Sequence, residues 1–254
     1  MNKSLCLCAL LATTHAVALD LDSIVSTQIL PGWRNPDGTH IAALQINLAP
    51  GWKTYWRAPG DSGIPPKIEI SHSSVSNAKF NWPTPEVFYT DGLRSVGYIN
   101  DVVVPVELNG ASNMTLKGNI DMGICDDICI PVTLNFEAEL PLKGSRDGAI
   151  IAALLDQPTP LTSRPICHIR PLSDGLEVTF ELPENIPLTS QVVIEAQTGI
   201  WVSEPETWQK DGQLMAQSDM HSEKTGPFAL DRSKIRVTYL SDLGAYETLG
   251  CIGG

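Results

Sequence analysis

Basic residues are scarce in this sequence, which has 17 lysines and arginines against 29 aspartates and glutamates and a formal net charge of −12. An acidic surface repels phosphate groups, so we expect neither nucleic acid nor an anionic membrane as a partner. No nucleotide-binding glycine loop, Ser-His-Asp arrangement or paired-carboxylate motif stands out, and the cysteines and histidines lack zinc-site spacing. The sequence therefore predicts no cofactor and no metal ion.

Long apolar runs are also missing from the chain beyond its N-terminal segment. No segment there approaches the roughly 18 apolar residues needed to cross a bilayer. The first residues combine Lys3, an apolar run and the small residues Ala16 and Ala18. This is the pattern of a secretory signal peptide, here residues 1–18, that is cleaved after Ala18. We therefore predict an exported protein that is not itself inserted in the membrane.

Short segments of alternating apolar residues, separated by turns rich in glycine and proline, make up most of the remaining chain. This pattern predicts an all-β protein with two immunoglobulin-like β-sandwich domains. We place the first domain at 19–145 and the second at 164–254. The stretch 146–163 between them is predicted to be a short linker, with a possible short helix that begins near Ser145 or Asp147.

Four cysteines remain after signal cleavage, and four cysteines allow three pairings. A bridge between Cys167 and Cys251 would close a loop of about 85 residues, worth roughly 4 to 5 kcal/mol, so we expect it to be a structural disulfide. A bridge between Cys125 and Cys129 would close about five residues and contribute about 2 kcal/mol. The short bridge is a poor stabiliser, which favours a chemical role for it.

The stretch "CDDIC" predicts a hairpin in which Asp126, Asp127 and Ile128 form the loop and the two cysteines face each other. A disulfide at a hairpin tip is exposed and should exchange readily with thiols. The two aspartates disfavour the thiolate form and so lower the reduction potential, which suits a dithiol that gives electrons away. Cys125 and Cys129 are therefore the predicted catalytic residues, and Asp126 and Asp127 are predicted to tune the potential.

Alternative interpretations of the short cysteine pair remain open at this point. It could be a structural hairpin disulfide, or it could bind Cu(I) together with Met122. The protein would then be a binding module without redox turnover, for example in copper handling or assembly. Trp52, Tyr55 and Trp56 are interpreted as residues that pack in the core and in turns.

Four motifs together resemble a known family: "GWKTYWRAPGDSGIPP", "FYTDGLRSVGY", "VVVPVEL" and "CDDICIP". The chain resembles the N-terminal periplasmic domain of the transmembrane thiol–disulfide interchange reductase DsbD, with the greatest likeness to the suppressor-of-copper-sensitivity B proteins. The resemblance implies an immunoglobulin-like fold in the periplasm, in which Cys125 and Cys129 carry electrons. The DsbD cysteines are spaced further apart.

The resemblance also implies partners and a shield for the disulfide. A membrane-embedded relay would supply electrons, and periplasmic thioredoxin-like or disulfide-bonded proteins would receive them. An aromatic cap loop covers the family's disulfide, and "EVFYTDG" matches that place with Phe88 and Tyr89. DsbD continues into a transmembrane domain and a thioredoxin domain that this sequence does not contain. We therefore expect either that a separate membrane protein supplies the electrons or that the domain has been reused.

Overall fold

The computed structural model describes residues 20–60, 63–71, 75–90, 92–110, 113–224, 226 and 228–254. The predicted signal peptide lies outside these residues. The described chain is all-β, and its four sheets form two sandwiches. The predicted fold class is confirmed.

The first sandwich consists of sheets I and II, which pack face to face. Sheet I has the order β1-β2-β8-β5; sheet II has the order β10-β9-β3-β7-β6, and β4 also pairs with β9. The strands are β1 (Val25–Arg34), β2 (His40–Leu48), β3 (Lys53–Tyr55), β4 (Lys67–Ile70), β5 (Val75–Phe80), β6 (Glu86–Thr90), β7 (Leu93–Ile99), β8 (Asp101–Gly110), β9 (Met114–Cys125) and β10 (Cys129–Leu140).

Strand alternation puts one set of side chains between the two sheets. In β10, Val132, Phe136 and Leu140 are buried while the residues between them are exposed or half-buried. They join a core to which sheet I contributes Leu44 and Val104 and sheet II several more apolar residues. Because successive side chains of a strand point to opposite faces, the other face of sheet II is left to carry the site described below.

An α-helix, α1 (Gly148–Leu155), lies in the predicted linker 146–163. The Asp147 carboxylate accepts hydrogen bonds from the N–H groups of Ala149 and Ile150, which caps the helix. Ile150 is fully buried against Ile41 on the outer side of sheet I. The linker is thus packed against the first sandwich, and the domain boundaries at its two ends stay predictions.

The second sandwich consists of sheets III and IV, and its core contains the cysteines Cys167 and Cys251. Sheet III has the order β11-β19-β18-β14; sheet IV has the order β15-β17-β13-β12-β20, with β16 also on β17. The strands are β11 (Thr159–Pro160), β12 (Ile166–Pro171), β13 (Leu176–Glu181), β14 (Gln191–Glu195), β15 (Ile200–Val202), β16 (Glu206–Lys210), β17 (Gln213–Ser222), β18 (Arg236–Ser241), β19 (Gly244–Leu249) and β20 (Ile252–Gly253).

The outer face of sheet III packs against the first sandwich. Val192 and Ile194 point into the second core, whereas Val193, between them, belongs to the core of the first sandwich. Leu240 and Ala245 pair across β18 and β19 and also join the first core. The two sandwiches therefore share a buried apolar contact.

Among the described residues, no helix combines the length and the apolar character that crossing a bilayer requires.

Candidate functional site

The tip of the β9–β10 hairpin carries a disulfide between Cys125 and Cys129. The two residues are directly paired in the strand register, and their Cα atoms are 4.2 Å apart. The loop between them is residues 126–128, closed by a 3.2 Å hydrogen bond from the Asp126 N–H to the Ile128 carbonyl. The spacing of the cysteines therefore produces the hairpin that it predicts.

The two sulfur-bearing residues differ in accessibility. Cys125 is 6% exposed, whereas Cys129 is exposed at the start of β10. Ile128, the neighbour of Cys129, is 65% exposed. An incoming thiolate can reach the sulfur of Cys129 more easily than that of Cys125, and attack there expels the Cys125 sulfur as the leaving group.

The hydroxyl of Tyr55 contacts both sulfurs, at 2.9 Å from Cys125 Sγ and 3.3 Å from Cys129 Sγ. Since neither sulfur of a disulfide carries a proton, the hydroxyl is the donor. Burial raises the pKa of Tyr55 above its ordinary value, so the hydroxyl keeps its proton at physiological pH. A donor placed in this way stabilises a thiolate that forms at Cys125.

Gly123 makes room for the tyrosine ring. A Cβ at this position would lie 3.0 Å from Tyr55 Cε2 and 3.0 Å from the Cβ of Ile64. Gly123 is two residues before Cys125 in β9, so both face the outer side of sheet II. The ring of Tyr55 therefore crosses a strand that lacks a side chain at this point and ends at the disulfide.

The predicted cap residues lie in strand β6, not in a loop. In the sheet register, Cys125 pairs with Lys53, Lys53 with Ile99, and Phe88 with Ser95 on the same strand as Ile99. By alternation Phe88 shares the outer face of the disulfide and Tyr89 faces the opposite way. Lys53 lies between Phe88 and the disulfide, with its ammonium 5.2 Å from the centre of the Phe88 ring. The capping role stays a prediction, and the register favours Phe88 for it.

Asp126 and Asp127 are both exposed at the hairpin tip. Their charges lie next to the two cysteines in sequence, but solvent screens them.

Met122, the ligand considered for Cu(I), is 1% exposed in the first core. Because Met122 points to the core face and Cys125 to the outer face, this methionine cannot join the two cysteines around one ion.

The second disulfide joins Cys167 in β12 to Cys251, which directly precedes β20. Cys167 is fully buried and Cys251 is 7% exposed. β20 pairs with β12 beside the bridge, so the bridge fixes the chain end to the first long strand of the second sandwich. Both sulfurs lie in an apolar core, away from thiols in solution.

The sequence pattern predicts Tyr55 as a packing residue and does not reveal its contact with the two sulfurs. Trp56 does pack in the first core and is fully buried. Alternation between these neighbours, with Trp56 inside, was the available signal that Tyr55 faces outward. Its contact with the sulfurs depends on the pairing of β3 with β9, which joins residues about 70 positions apart.

Comparisons with known proteins agree with this geometry. Residues 26–141 match the family described as "Thiol:disulfide interchange protein DsbD, N-terminal". This match covers the strands of the first sandwich and confirms the resemblance that the motifs predicted. The family supports thiol–disulfide exchange and a periplasmic location at this general level.

The chain also resembles the crystal structure of the N-terminal periplasmic domain of ScsB from Proteus mirabilis, with a TM-score of 0.65 and 22% identity over 90% of this chain and 92% of that one. This likeness shows the two-sandwich fold. A C-terminal domain of the AgI/II polypeptide BspA from Streptococcus agalactiae is a far weaker match, with a TM-score of 0.16 and 8% identity over 90% of this chain and 99% of that one. No curated protein sequence matches the chain.

Proposed function

We propose that this protein is a periplasmic thiol–disulfide exchange protein whose Cys125–Cys129 pair passes electrons from a membrane-embedded relay to thioredoxin-like or other disulfide-bonded partners. One observation carries the proposal: the disulfide joins an exposed residue, Cys129, to a buried one, Cys125, and a tyrosine hydroxyl contacts both sulfurs. The redox domain is then residues 19–145, and 164–254 form a second domain.

Uptake of electrons begins when a thiolate of the donor dithiol attacks Cys129 Sγ. The bond between Cys125 and Cys129 breaks, a mixed disulfide forms with Cys129, and Cys125 leaves as a thiolate that accepts a hydrogen bond from Tyr55. The donor's second thiolate then attacks its own sulfur in the mixed disulfide and releases Cys129. The donor becomes a disulfide, and two electrons and two protons have moved to the Cys125–Cys129 pair.

Delivery of electrons reverses these steps with another partner. The Cys129 thiolate attacks the disulfide of the acceptor and forms a mixed disulfide, while one acceptor sulfur leaves as a thiolate. Cys125 then attacks Cys129 Sγ, which releases the acceptor as a dithiol and restores the bridge. Buried Cys125 is suited to this second, internal step because solution thiols do not reach it.

Trapping with single-cysteine variants tests the proposal. Cys125→Ser leaves the exposed Cys129, which should accumulate mixed disulfides with periplasmic partners because no internal thiol can release them. Cys129→Ser is the matched control, since it leaves one thiol that is only 6% exposed in the present structure, and it should trap far less. Non-reducing electrophoresis measures both, and absence of mixed disulfides with either variant would favour a binding module without redox turnover.

A further inference from the structure

Two arginines of the first sandwich reach into the second one, and each is close to a side chain of the redox site, either along the chain or across the sheet. Arg57 follows Tyr55 by two residues, and Arg94 lies in β7, which pairs with the β6 strand of Phe88. Through these arginines the second sandwich contacts the segments next to the redox site, and neither arginine contacts the disulfide.

Arg57 is held by two carboxylates of sheet III. Its Nε and Nη2 donate to the carboxylate of Glu195 at 2.9 to 3.2 Å, and Nη2 also donates to Glu247 at 2.5 Å. Its guanidinium lies 3.9 Å from the centre of the Trp56 ring. Burial alone would lower the pKa of Arg57, but the charges and hydrogen bonds of Glu195 and Glu247 raise it overall, so the arginine stays charged.

Arg94 is almost fully buried, with 4% of its side chain exposed. Its Nη2 donates to the Val192 carbonyl at 3.0 Å, and its Nε lies 3.7 Å from a Glu204 carboxylate oxygen. The Val192 contact is to the backbone of β14, the strand that also carries Glu195. Both arginines therefore anchor to the same strand of sheet III.

The strand that carries the tyrosine is short and leads directly into the segment of Arg57. β3 has only three residues, and the segment after it stays beside β7. Two hydrogen bonds of 2.9 Å join them: the Trp56 N–H donates to the Val96 carbonyl, and the Val96 N–H donates to the Pro59 carbonyl. Arg57 lies within that segment. A short strand with few ladder hydrogen bonds gains positional order from whatever fixes the residues next to it.

We infer that the second sandwich positions the redox site, with Arg57 and Arg94 as positioning residues that keep the Tyr55 hydroxyl against the Cys125 sulfur. This inference rests on the proposed exchange function and assigns the second sandwich a part in it. When these arginine contacts are lost, the Tyr55 hydroxyl can move away from Cys125. The Cys125 thiolate is then less stable and a poorer leaving group. The groups that touch the sulfurs remain unchanged in sequence.

The test uses Arg57→Gln, Glu195→Gln and the double variant in the full chain. Each single variant should slow reduction of the Cys125–Cys129 bridge by a small-molecule dithiol up to about tenfold and raise the Cys125 thiol pKa by up to about one unit. The double variant should resemble Arg57→Gln, because that change already removes the contact with Glu195. Glu195→Gln leaves the bond between Arg57 and Glu247 and should have the smaller effect. Arg57→Lys keeps the charge and should restore part of the rate.

A matched control breaks an arginine–carboxylate pair inside the second sandwich. Glu177→Gln removes the partner of Arg170, with which it makes two hydrogen bonds, and it should leave exchange unchanged. The Tyr55→Phe background separates positioning from general loosening: there, Arg57→Gln should have no further effect on the thiol pKa. A further rise of that pKa in this background would overturn the inference.

The outcomes also separate the inference from the proposed function. If the Cys125→Ser variant traps no mixed disulfides with partners, the proposed function is wrong, yet the dithiol rate and thiol pKa of the other variants still test the positioning. If wild type exchanges and the folded Arg57→Gln and Glu195→Gln variants match it in rate and thiol pKa, the positioning role is wrong. Thermal unfolding identifies any variant that is not folded, and Arg57→Lys then provides the comparison.

Discussion

A tyrosine hydroxyl beside a disulfide affects the oxidised and reduced forms unequally. It is a weak donor to the sulfurs of the bridge but a strong one to a thiolate, because hydrogen bonds to charged groups are the stronger ones. Tyr55 should therefore favour the reduced form of the Cys125–Cys129 pair and assist departure of the Cys125 sulfur. The exposed Asp126 and Asp127 are predicted to act in the opposite direction, so we expect the potential to reflect a balance between the tyrosine and the aspartates.

Tyr55→Phe tests one side of this balance. Losing a hydrogen bond to a charged group costs about 1.5 kcal/mol or more, so the Cys125 thiol pKa should rise by about one unit and exchange should slow by about tenfold. Since burial raises the pKa of Tyr55, the donor persists and the difference between the two proteins should be constant from about pH 6 to 9. Thiolate absorbance and stopped-flow reduction measure the two effects, and an unchanged thiol pKa would contradict the assigned role.

Changing Asp126 and Asp127 to Asn tests the other side. Removing two negative charges stabilises the thiolate, so the reduction potential should rise by tens of millivolts, given that 30 mV corresponds to about 1.4 kcal/mol. Because both side chains are exposed, the shift should shrink at high salt. Equilibration with glutathione measures it. A potential that stays the same or falls would mean that the aspartates serve the turn instead.

At the scale of elements, short-range pattern explains the hairpin and the strands. The alternation of Val132, Leu134 and Phe136 predicts the buried face of β10, and the cysteine spacing predicts the hairpin loop; both follow from neighbours in sequence. The contact of Tyr55 with the sulfurs could not be predicted in the same way, because it needs the register of β3 on β9 and a glycine at 123. The helix in 146–163 was predicted, but its packing on sheet I was not.

The cap of that helix gives a prediction at this scale. Asp147→Ala removes the acceptor for the Ala149 and Ile150 N–H groups and should lower the free energy of unfolding by about 1 kcal/mol. Asp147→Ser keeps a capping oxygen and should recover most of the loss. Urea unfolding measures both, and exchange by the disulfide should not change. If Asp147→Ser lost as much stability as Asp147→Ala, the Asp147 side chain would not act as a helix cap.

At the scale of the whole molecule, the two sandwiches divide the two disulfides between them. Turn and strand patterns predict the sandwiches because each is built from local alternation. The contact between them was not predictable, since Arg57 and Glu195 are 138 positions apart and ordinary in sequence. The net charge of this acidic protein does not reveal that contact. It consists of charged side chains that are about one-fifth exposed and form ion pairs across the interface between the two sandwiches.

The two bridges should differ both in reactivity and in what they contribute to stability. Cys129 is exposed, whereas Cys167 and Cys251 lie in the second core, so a mild dithiol should open Cys125–Cys129 in the folded protein and leave Cys167–Cys251 closed. Alkylation followed by mass measurement counts the opened bridges. Equal resistance of the two would instead favour a structural role for the short one.

Serine replacements should reverse this ranking in an unfolding experiment. The bridge from Cys167 to Cys251 spans 84 positions, and a loop of that size is worth about 4 to 5 kcal/mol in the chain-entropy model. The bridge from Cys125 to Cys129 spans 4 positions, so its removal should cost about 2 kcal/mol or less while abolishing exchange. The folded fraction of the variant without Cys167 and Cys251 should still exchange. Its rate should fall only to the extent that the destabilised second sandwich no longer holds Arg57 and Arg94. Greater loss of stability from the short bridge than from the long one would contradict this division of roles.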